Sequence, residues 1–211
     1  MFITFEGLDS SGKSTQAQRL AERLATHPLP GEKAIRPVRF IREPGGTVIS
    51  ERLRDILLDR ANLDLNEVSE LFLFSASRAQ VVREVIRPAI ARGEIVICDR
   101  YADSTTAYQG YGRGLDLPAV LQINRFATAG LVPDRTFIVD IAVAEVGRRK
   151  ESAGIPYDRM ETAGTGFFEK VRNGYFDIAK RDPGRFVVVD GMAPVETVEA
   201  EIWKALACKG G

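Results

Sequence analysis

The sequence is short of several features that would point to particular classes of protein. Lys plus Arg and Asp plus Glu both total 29, so no overall positive charge favours nucleic-acid binding. The two cysteines, Cys98 and Cys208, are far apart and favour a reducing compartment over a disulfide framework. No run approaches the roughly 20 apolar residues of a membrane span, and the first residues lack the pattern of a signal peptide. We therefore expect a cytoplasmic protein that binds neither nucleic acid nor membranes.

Short apolar runs alternate along the chain with longer segments of helical periodicity. This alternation predicts an α/β fold in which a five-stranded parallel sheet is flanked by helices on both faces. A length of 211 residues suits a single domain, 1–211. The predicted strands, all suited to burial, are Phe2–Phe5, Val38–Ile41, Ile95–Cys98, Thr136–Val139 and Phe186–Val189. The predicted helices are Ser14–Ala25, Val48–Leu58, Asn66–Ala91, Pro118–Ala129, Glu145–Lys150, Phe167–Lys180 and Val195–Ala207.

The most specific motif lies directly after the first predicted strand and before a helix. It has the form G-x-x-x-x-G-K-[ST], the phosphate-binding loop, or P-loop, of nucleoside triphosphate-binding proteins. The backbone N–H groups of such a loop converge on phosphate oxygens, and Lys13 is expected to reach the β- and γ-phosphates. The Ser14 hydroxyl is expected to bind Mg²⁺. The predicted nucleotide-binding residues are Gly7, Leu8, Asp9, Ser10, Ser11, Gly12, Lys13, Ser14 and Thr15.

Two further motifs could form a cleft beside this loop. Arg42-Glu43-Pro44-Gly45-Gly46-Thr47 forces a sharp turn after the second strand, although an ordinary strand-to-helix turn has the same chemistry. Phe74 and Arg78, four residues apart on a helix, share one face. A ring and a guanidinium placed in this way can stack on a flat base and donate to its edge. A core phenylalanine beside a surface arginine would give the same pattern.

Two more motifs follow the third strand. Asp99-Arg100-Tyr101 comes at the carboxyl end of that strand, where ligands of open α/β sheets bind. Arg100 is suited to grip a phosphate, and Asp99 could help to order Mg²⁺, but the two could also form a structural ion pair. The segment Ser104–Gly110 is rich in hydroxyls and glycine, which predicts a binding loop without naming its ligand.

Taken together, these motifs resemble thymidylate kinase, a family of P-loop nucleoside monophosphate kinases, over nearly the whole chain. The resemblance implies transfer of a phosphoryl group from ATP to dTMP with Mg²⁺ as cofactor. It implies that Phe74 stacks on thymine and that Arg78 donates to thymine O4. It also implies that Thr105 hydrogen-bonds the base, that Gln109 closes over it and that Tyr108 selects the deoxy sugar. It places Asp9 near the 3′-hydroxyl of the monophosphate and the Glu43–Pro44 bond, expected to be cis, beside the monophosphate site. The implied substrate-binding residues are Asp9, Arg42, Glu43, Pro44, Phe74, Arg78, Arg100, Ser104, Thr105, Tyr108 and Gln109, and the implied metal ligands are Ser14 and Asp99, with Glu43 acting through water.

Phosphoryl transfer also needs positive side chains over the migrating group. The variable P-loop positions are not basic, so the charges are expected from a lid at about 148–163, as in the mainly bacterial subgroup of the family. Within it we expect Arg149 and Arg159 to act, and Arg148 next. With Lys13, Arg100 and Asp9, these two residues form the predicted catalytic set.

The sequence leaves open the oligomeric state, the exact phosphoryl acceptor and the alternative of a nucleotide switch. Thymidylate kinases are usually homodimers, and the apolar residues around Phe72 suit such a contact, but a core helix reads identically. A kinase for another nucleotide or a deoxynucleoside would share most of the motifs. A P-loop nucleotide switch is disfavoured because no Asn-Lys-x-Asp guanine-binding motif occurs.

Overall fold

Five parallel strands form a single sheet in the computed structural model, which describes residues 1–154, 159–160 and 164–207. The five-stranded parallel sheet was predicted, and its strand order is β2-β3-β1-β4-β5. The P-loop strand therefore lies at the centre, and its carboxyl end meets those of its two neighbours. The strands are β1 Phe2–Glu6, β2 Val38–Arg42, β3 Ile95–Asp99, β4 Arg135–Asp140 and β5 Phe186–Asp190.

Helices cover both faces of the sheet because its central strands are apolar on both sides. Ile3 and Phe5 pack into the core under α1 and α9, whereas Phe2 and Val96 pack into a core on the opposite face. The helices are α1 Lys13–Thr26, α2 Val48–Leu58, α3 Glu67–Val81, α4 Arg87–Ala91, α5 Ala102–Thr105, α6 Leu117–Ala127, α7 Val143–Ala153, α8 Thr165–Arg181 and α9 Val195–Ala207. Two π-helices are present, π1 Val82–Ile86 and π2 Thr106–Gly112. No helix in the described part of the chain is long and apolar enough to cross a membrane.

Four details of the predicted elements were wrong. β2 lies at the sheet edge, and only Ile41 of its residues is buried. The long helix predicted at Asn66–Ala91 is interrupted by π1, because Pro88 cannot donate a hydrogen bond to the preceding turn. α7 continues beyond Lys150, the predicted end of this helix, through Ala153 and is capped by Gly154, whose φ of 62° is left-handed. The remainder of the expected lid, 155–158 and 161–163, lies outside the described residues.

The fourth error concerns the segment predicted to be a binding loop, which is helical throughout as α5 and π2. Its glycines have a packing role. A Cβ on Gly110 would collide with Leu117, and one on Gly112 would collide with Phe167 and Val171. These close approaches let α8 and α6 pack against π2. A helix here gives the polar side chains of Ser104–Gln109 a rigid support.

Candidate active site

The P-loop wraps around the amino end of α1. Gly7 has a φ of 134°, and a Cβ there would collide with the carbonyl oxygen of Val139. Gly12, with a φ of 95°, caps α1, whose first turn contains no acidic residue. The Lys13 ammonium lies back over the loop and donates to the Leu8 carbonyl at 3.0 Å. A helix amino terminus, convergent N–H groups and a buried lysine make this an anion site suited to phosphates.

A hydroxyl and a carboxylate face each other beside the loop. Ser14 Oγ lies 2.5 Å from Asp99 Oδ2. Asp99 is buried, and its other oxygen, Oδ1, has no hydrogen-bond partner among the described residues. A hard cation would satisfy this oxygen, and Mg²⁺ prefers few protein ligands supplemented by water and phosphate oxygens. The described residues contain no group of three or more acidic, His or Cys side chains that could hold a metal alone.

Arg100 joins the P-loop to the neighbouring cleft. It has a φ of 70°, a left-handed conformation that costs a non-glycine residue about 1–3 kcal/mol and often occurs at functional sites. Its guanidinium pairs with Asp9 and donates to the Gly7 carbonyl at 3.2 Å. Tyr108 donates to the second Asp9 oxygen at 2.9 Å. Although burial raises the pKa of Asp9, the charges of Arg100 and Lys13 outweigh it and lower the pKa to about 2, so Asp9 is ionised.

A fully buried carboxylate, Glu6, lies beneath Arg100. It accepts hydrogen bonds from the Tyr101 backbone N–H at 2.8 Å, the Ser104 hydroxyl at 2.5 Å and the Tyr175 hydroxyl at 3.0 Å. Burial, together with the nearby charge of Asp103, raises the pKa of Glu6 to about 7. Glu6 therefore anchors the backbone beside Arg100 and the start of α5.

A buried ion pair forms the inner wall of the cleft. Arg78 is only 2% exposed, which rules out the surface arginine that its helix position allowed. It donates to Glu43 Oε2 at 2.8 Å, to the Thr105 hydroxyl at 2.8 Å and to the Tyr101 carbonyl at 3.0 Å. Glu43 Oε1 has no partner among the described residues, and burial raises the pKa of Glu43 despite the charge of Arg78.

The cleft extends from Asp9 and Arg100 to this ion pair. Phe74 provides an aromatic wall, and the cis Glu43–Pro44 peptide borders the same space, as expected. The full lining is Asp9, Glu43, Pro44, Arg54, Leu58, Phe74, Arg78, Arg100, Ser104, Thr105, Tyr108, Gln109 and Met160. Ten of the residues predicted for substrate binding are thus brought together, whereas Arg42 is exposed and pairs with Glu51.

The three candidate lid arginines lie in different places. Arg149 donates to the P-loop carbonyls of Ser10 and Ser11 at 3.2 and 3.3 Å, and to the Gly191 carbonyl. Arg148 is exposed and pairs with Glu145 in its own helix. Arg159 is buried, donates to the Leu57 carbonyl at 2.8 Å and lies 2.7 Å from a carboxylate oxygen of Glu70. Arg149 is therefore the candidate that touches the P-loop, while Arg159 contacts α2 and α3.

Sequence reasoning missed Glu70 and several residues around it. Glu70 lies one helical turn before Phe74, so an acidic residue on the same apolar helix face was the available signal. Arg54 and Leu58 reach the cleft from α2 and Met160 from the segment after α7, and no motif connected them to it.

The chain is similar to known proteins along nearly its whole length. The family model described as thymidylate kinase matches residues 5–202. The chain is 46% identical to a thymidylate kinase of Deinococcus radiodurans, with coverage of 100% of this chain and 98% of the relative. It is 47% identical to one of Chlorobium luteolum, with coverage of 98% and 96%. A crystal structure of thymidylate kinase from Ehrlichia chaffeensis superposes with a TM-score of 0.78 at 36% identity, covering 99% of this chain and 98% of the other.

Proposed function

Since the chain belongs to the thymidylate kinase family, we propose that it transfers the γ-phosphoryl group of ATP to dTMP, yielding ADP and dTDP. The observation that carries the proposal is the position of Arg100. It is hydrogen-bonded to the P-loop on one side and lines the aromatic cleft on the other, so a triphosphate and a monophosphate would meet there.

The proposed mechanism relies on positioning and charge. The dTMP phosphate is already ionised, so no side chain has to remove a proton to make it a nucleophile. Lys13 neutralises the β- and γ-phosphates of ATP, and Arg100 holds the dTMP phosphate in line for attack. Arg149 contributes positive charge beside the P-loop, and Arg148 and Arg159 remain further candidates from the proposed lid at about 148–163. Closure over both substrates would exclude water and suppress hydrolysis of ATP.

Mg²⁺ is part of the proposal because the residues present fit it. Ser14 and Asp99 would hold the ion, with Glu43 acting through water, and phosphate oxygens would complete its coordination. When bound, the ion would neutralise charge on the triphosphate. Asp99 positions the Ser14 hydroxyl in the structure as it stands.

The cleft suits a pyrimidine deoxynucleotide. Phe74 would stack on the base, and Arg78 would donate to O4 of thymine, where cytosine carries an amino donor. Thr105 and Gln109 would contact the base, and Ser104 lines the same wall. Tyr108, held by Asp9, would fill the space that a ribose 2′-hydroxyl needs.

We also propose that the protein is a homodimer that acts in the cytoplasm. Phe126 of α6 is 90% exposed, and Phe72 of α3 is 55% exposed. Phe126 stands at a groove that it lines together with Ala76, Ala79 and other residues of α3 and α6. A two-fold interface buries such a protrusion of each copy in the groove of the other. Light scattering should show a dimer that Phe126→Ser dissociates, and a monomeric parent chain would refute this part.

The reaction is tested by following ADP formation from Mg-ATP with dTMP, thymidine, dUMP, dCMP and UMP. We expect strong preference for dTMP, and an Arg100→Ala loss of roughly 100-fold to 1,000-fold in kcat/KM. Arg36→Ala is the matched control, since Arg36 pairs with Glu32 at the opposite end of the sheet. Preference for thymidine would indicate a deoxynucleoside kinase. ADP formation indifferent to every acceptor would indicate an ATPase or nucleotide switch.

A further inference from the structure

One carboxylate behind the cleft holds three side chains from different parts of the chain. Glu70 is fully buried, and its Oε1 accepts from Gln109 Nε2 at 2.8 Å and from Arg113 Nε at 3.2 Å. Its Oε2 accepts from a terminal nitrogen of Arg113 at 3.1 Å and lies 2.7 Å from one of Arg159. We call these four residues the Glu70 cluster. None of them except Gln109 and Arg159 was expected to matter for the site.

The cluster determines which end of the Gln109 side chain faces the cleft. Both oxygens of Glu70 face N–H donors, and the Gln109 amide turns its nitrogen toward Glu70 to donate to Oε1. Gln109 lines the cleft, and its carbonyl oxygen receives no hydrogen bond from the described residues. The amide therefore presents an acceptor to the ligand. An acceptor pairs with the N3–H of thymine or uracil, whereas N3 of cytosine is itself an acceptor.

The two arginines hold the carboxylate in place. Burying a lone carboxylate would be costly, but two guanidinium groups pair with Glu70 and fix its orientation. Glu70 also lies one turn before Phe74 on α3, while Gln109 lies on π2. The hydrogen bond between Glu70 and Gln109 thus also fixes the position of the Phe74 ring relative to the Gln109 amide.

We propose that Glu70 is a positioning residue for base selection, which acts by holding the Gln109 carbonyl oxygen toward the cleft as an acceptor for a protonated N3. This inference rests on the proposed function, because it concerns how that site distinguishes its pyrimidine.

The test replaces Glu70 by Gln, which has the same shape and one acceptor oxygen. In the parent chain, Oε2 of Glu70 faces both Arg113 and Arg159, so the oxygen of the new Gln side chain is expected at that position. Its amide nitrogen then takes the place of Oε1 and faces Gln109. Gln109 must then turn its own oxygen toward residue 70 and its nitrogen toward the cleft. We expect the dTMP to dCMP ratio of kcat/KM, and of affinities from calorimetry, to fall roughly tenfold.

The control is Glu94→Gln, because Glu94 is also a carboxylate held by two arginines, Arg39 and Arg92, but lies before β3 at the far end of the sheet. It should leave the ratio unchanged. The variant Gln109→Met removes both ends of the amide. In that background, Glu70→Gln should no longer alter the ratio, because its effect passes through Gln109.

If Glu70→Gln does not fold, Glu70→Asp keeps the charge for the arginines but draws the carboxylate away from Gln109, and about a threefold fall is expected. A folded Glu70 variant with an unchanged ratio would overturn the inference, as would an equal effect in the Gln109→Met background. Calorimetry distinguishes failure of the proposed kinase reaction from failure of the proposed role of Glu70. A parent chain that binds dTMP selectively but does not phosphorylate it would contradict the kinase reaction and leave the role of Glu70 in base selection testable by binding.

Discussion

The buried carboxylate Glu6 makes the stability of the protein depend on pH in a way that can be isolated. Its pKa is raised by burial from the model-peptide value of 4.5 to about 7. The folded state therefore holds this proton more tightly than the unfolded state does. The stability that Glu6 contributes is fully present below about pH 4.5 and is lost as the pH rises through about 7.

The expected size of this effect follows from the shift. A difference of one pKa unit corresponds to about 1.4 kcal/mol, so Glu6 loses about 2–3 kcal/mol of its contribution between about pH 5 and pH 8. Glu6→Gln resembles the protonated side chain at every pH and removes the titration. The unfolding free energy of the variant should thus rise relative to that of the parent by about 2–3 kcal/mol over this interval.

Urea unfolding followed through the fluorescence of the single tryptophan, Trp203, measures both proteins across the pH range. Differences between them cancel the titration of all other groups that the substitution leaves undisturbed. Glu196→Gln on the exposed face of α9 is the control, and its difference from the parent should stay flat. A Glu6→Gln difference that also stays flat would refute the argument, because Glu6 would then titrate alike in both states.

Two further predictions concern arginines. Arg78→Met should lower the unfolding free energy by about 3–5 kcal/mol, because it leaves Glu43 buried without its counter-charge. The pKa of Glu43, already raised by burial, would then rise further, so the loss of unfolding free energy should be larger at pH 8 than at pH 5. A loss below about 1 kcal/mol in urea unfolding would contradict the reasoning. Arg149→Met should lower kcat roughly 100-fold while leaving the KM for dTMP nearly unchanged, because Arg149 contacts the P-loop and does not line the cleft. Arg36→Met serves as its control, because Arg36 pairs with Glu32 at the opposite end of the sheet, and equal losses in steady-state kinetics would show that Arg149 has no specific role.

Features that depend on local chemistry could be predicted from the sequence. A strand, a glycine-framed loop and a helix in succession specify a phosphate site without reference to the rest of the chain, and the structure shows that arrangement at Gly7–Ser14. The five strands were predicted within one residue at each end, since parallel strands are short continuous apolar runs, although β2 is largely exposed. The sharp turn at Glu43–Gly46 and the approach of Arg100 to the P-loop both follow from where strands end.

Other features depended on packing between distant segments. The helical state of Ser104–Gly112 follows from the close approach of α6 and α8 to Gly110 and Gly112, which overrides the loop preference of glycine. The burial of Arg78 likewise depends on Glu43 and Thr105, which come from two other elements.

Residues adjacent in the chain and repeated apolar runs were enough to predict the phosphate loop, the parallel sheet and the family. The contact of Glu70 with Gln109, the position of Arg159 against α3 and that of Glu6 beneath Arg100 became visible only in the folded chain. Each of these contacts joins residues 39 or more positions apart. Polar side chains pair with whichever partners the folded backbone brings near them, so the sequence around each residue does not predict its partner.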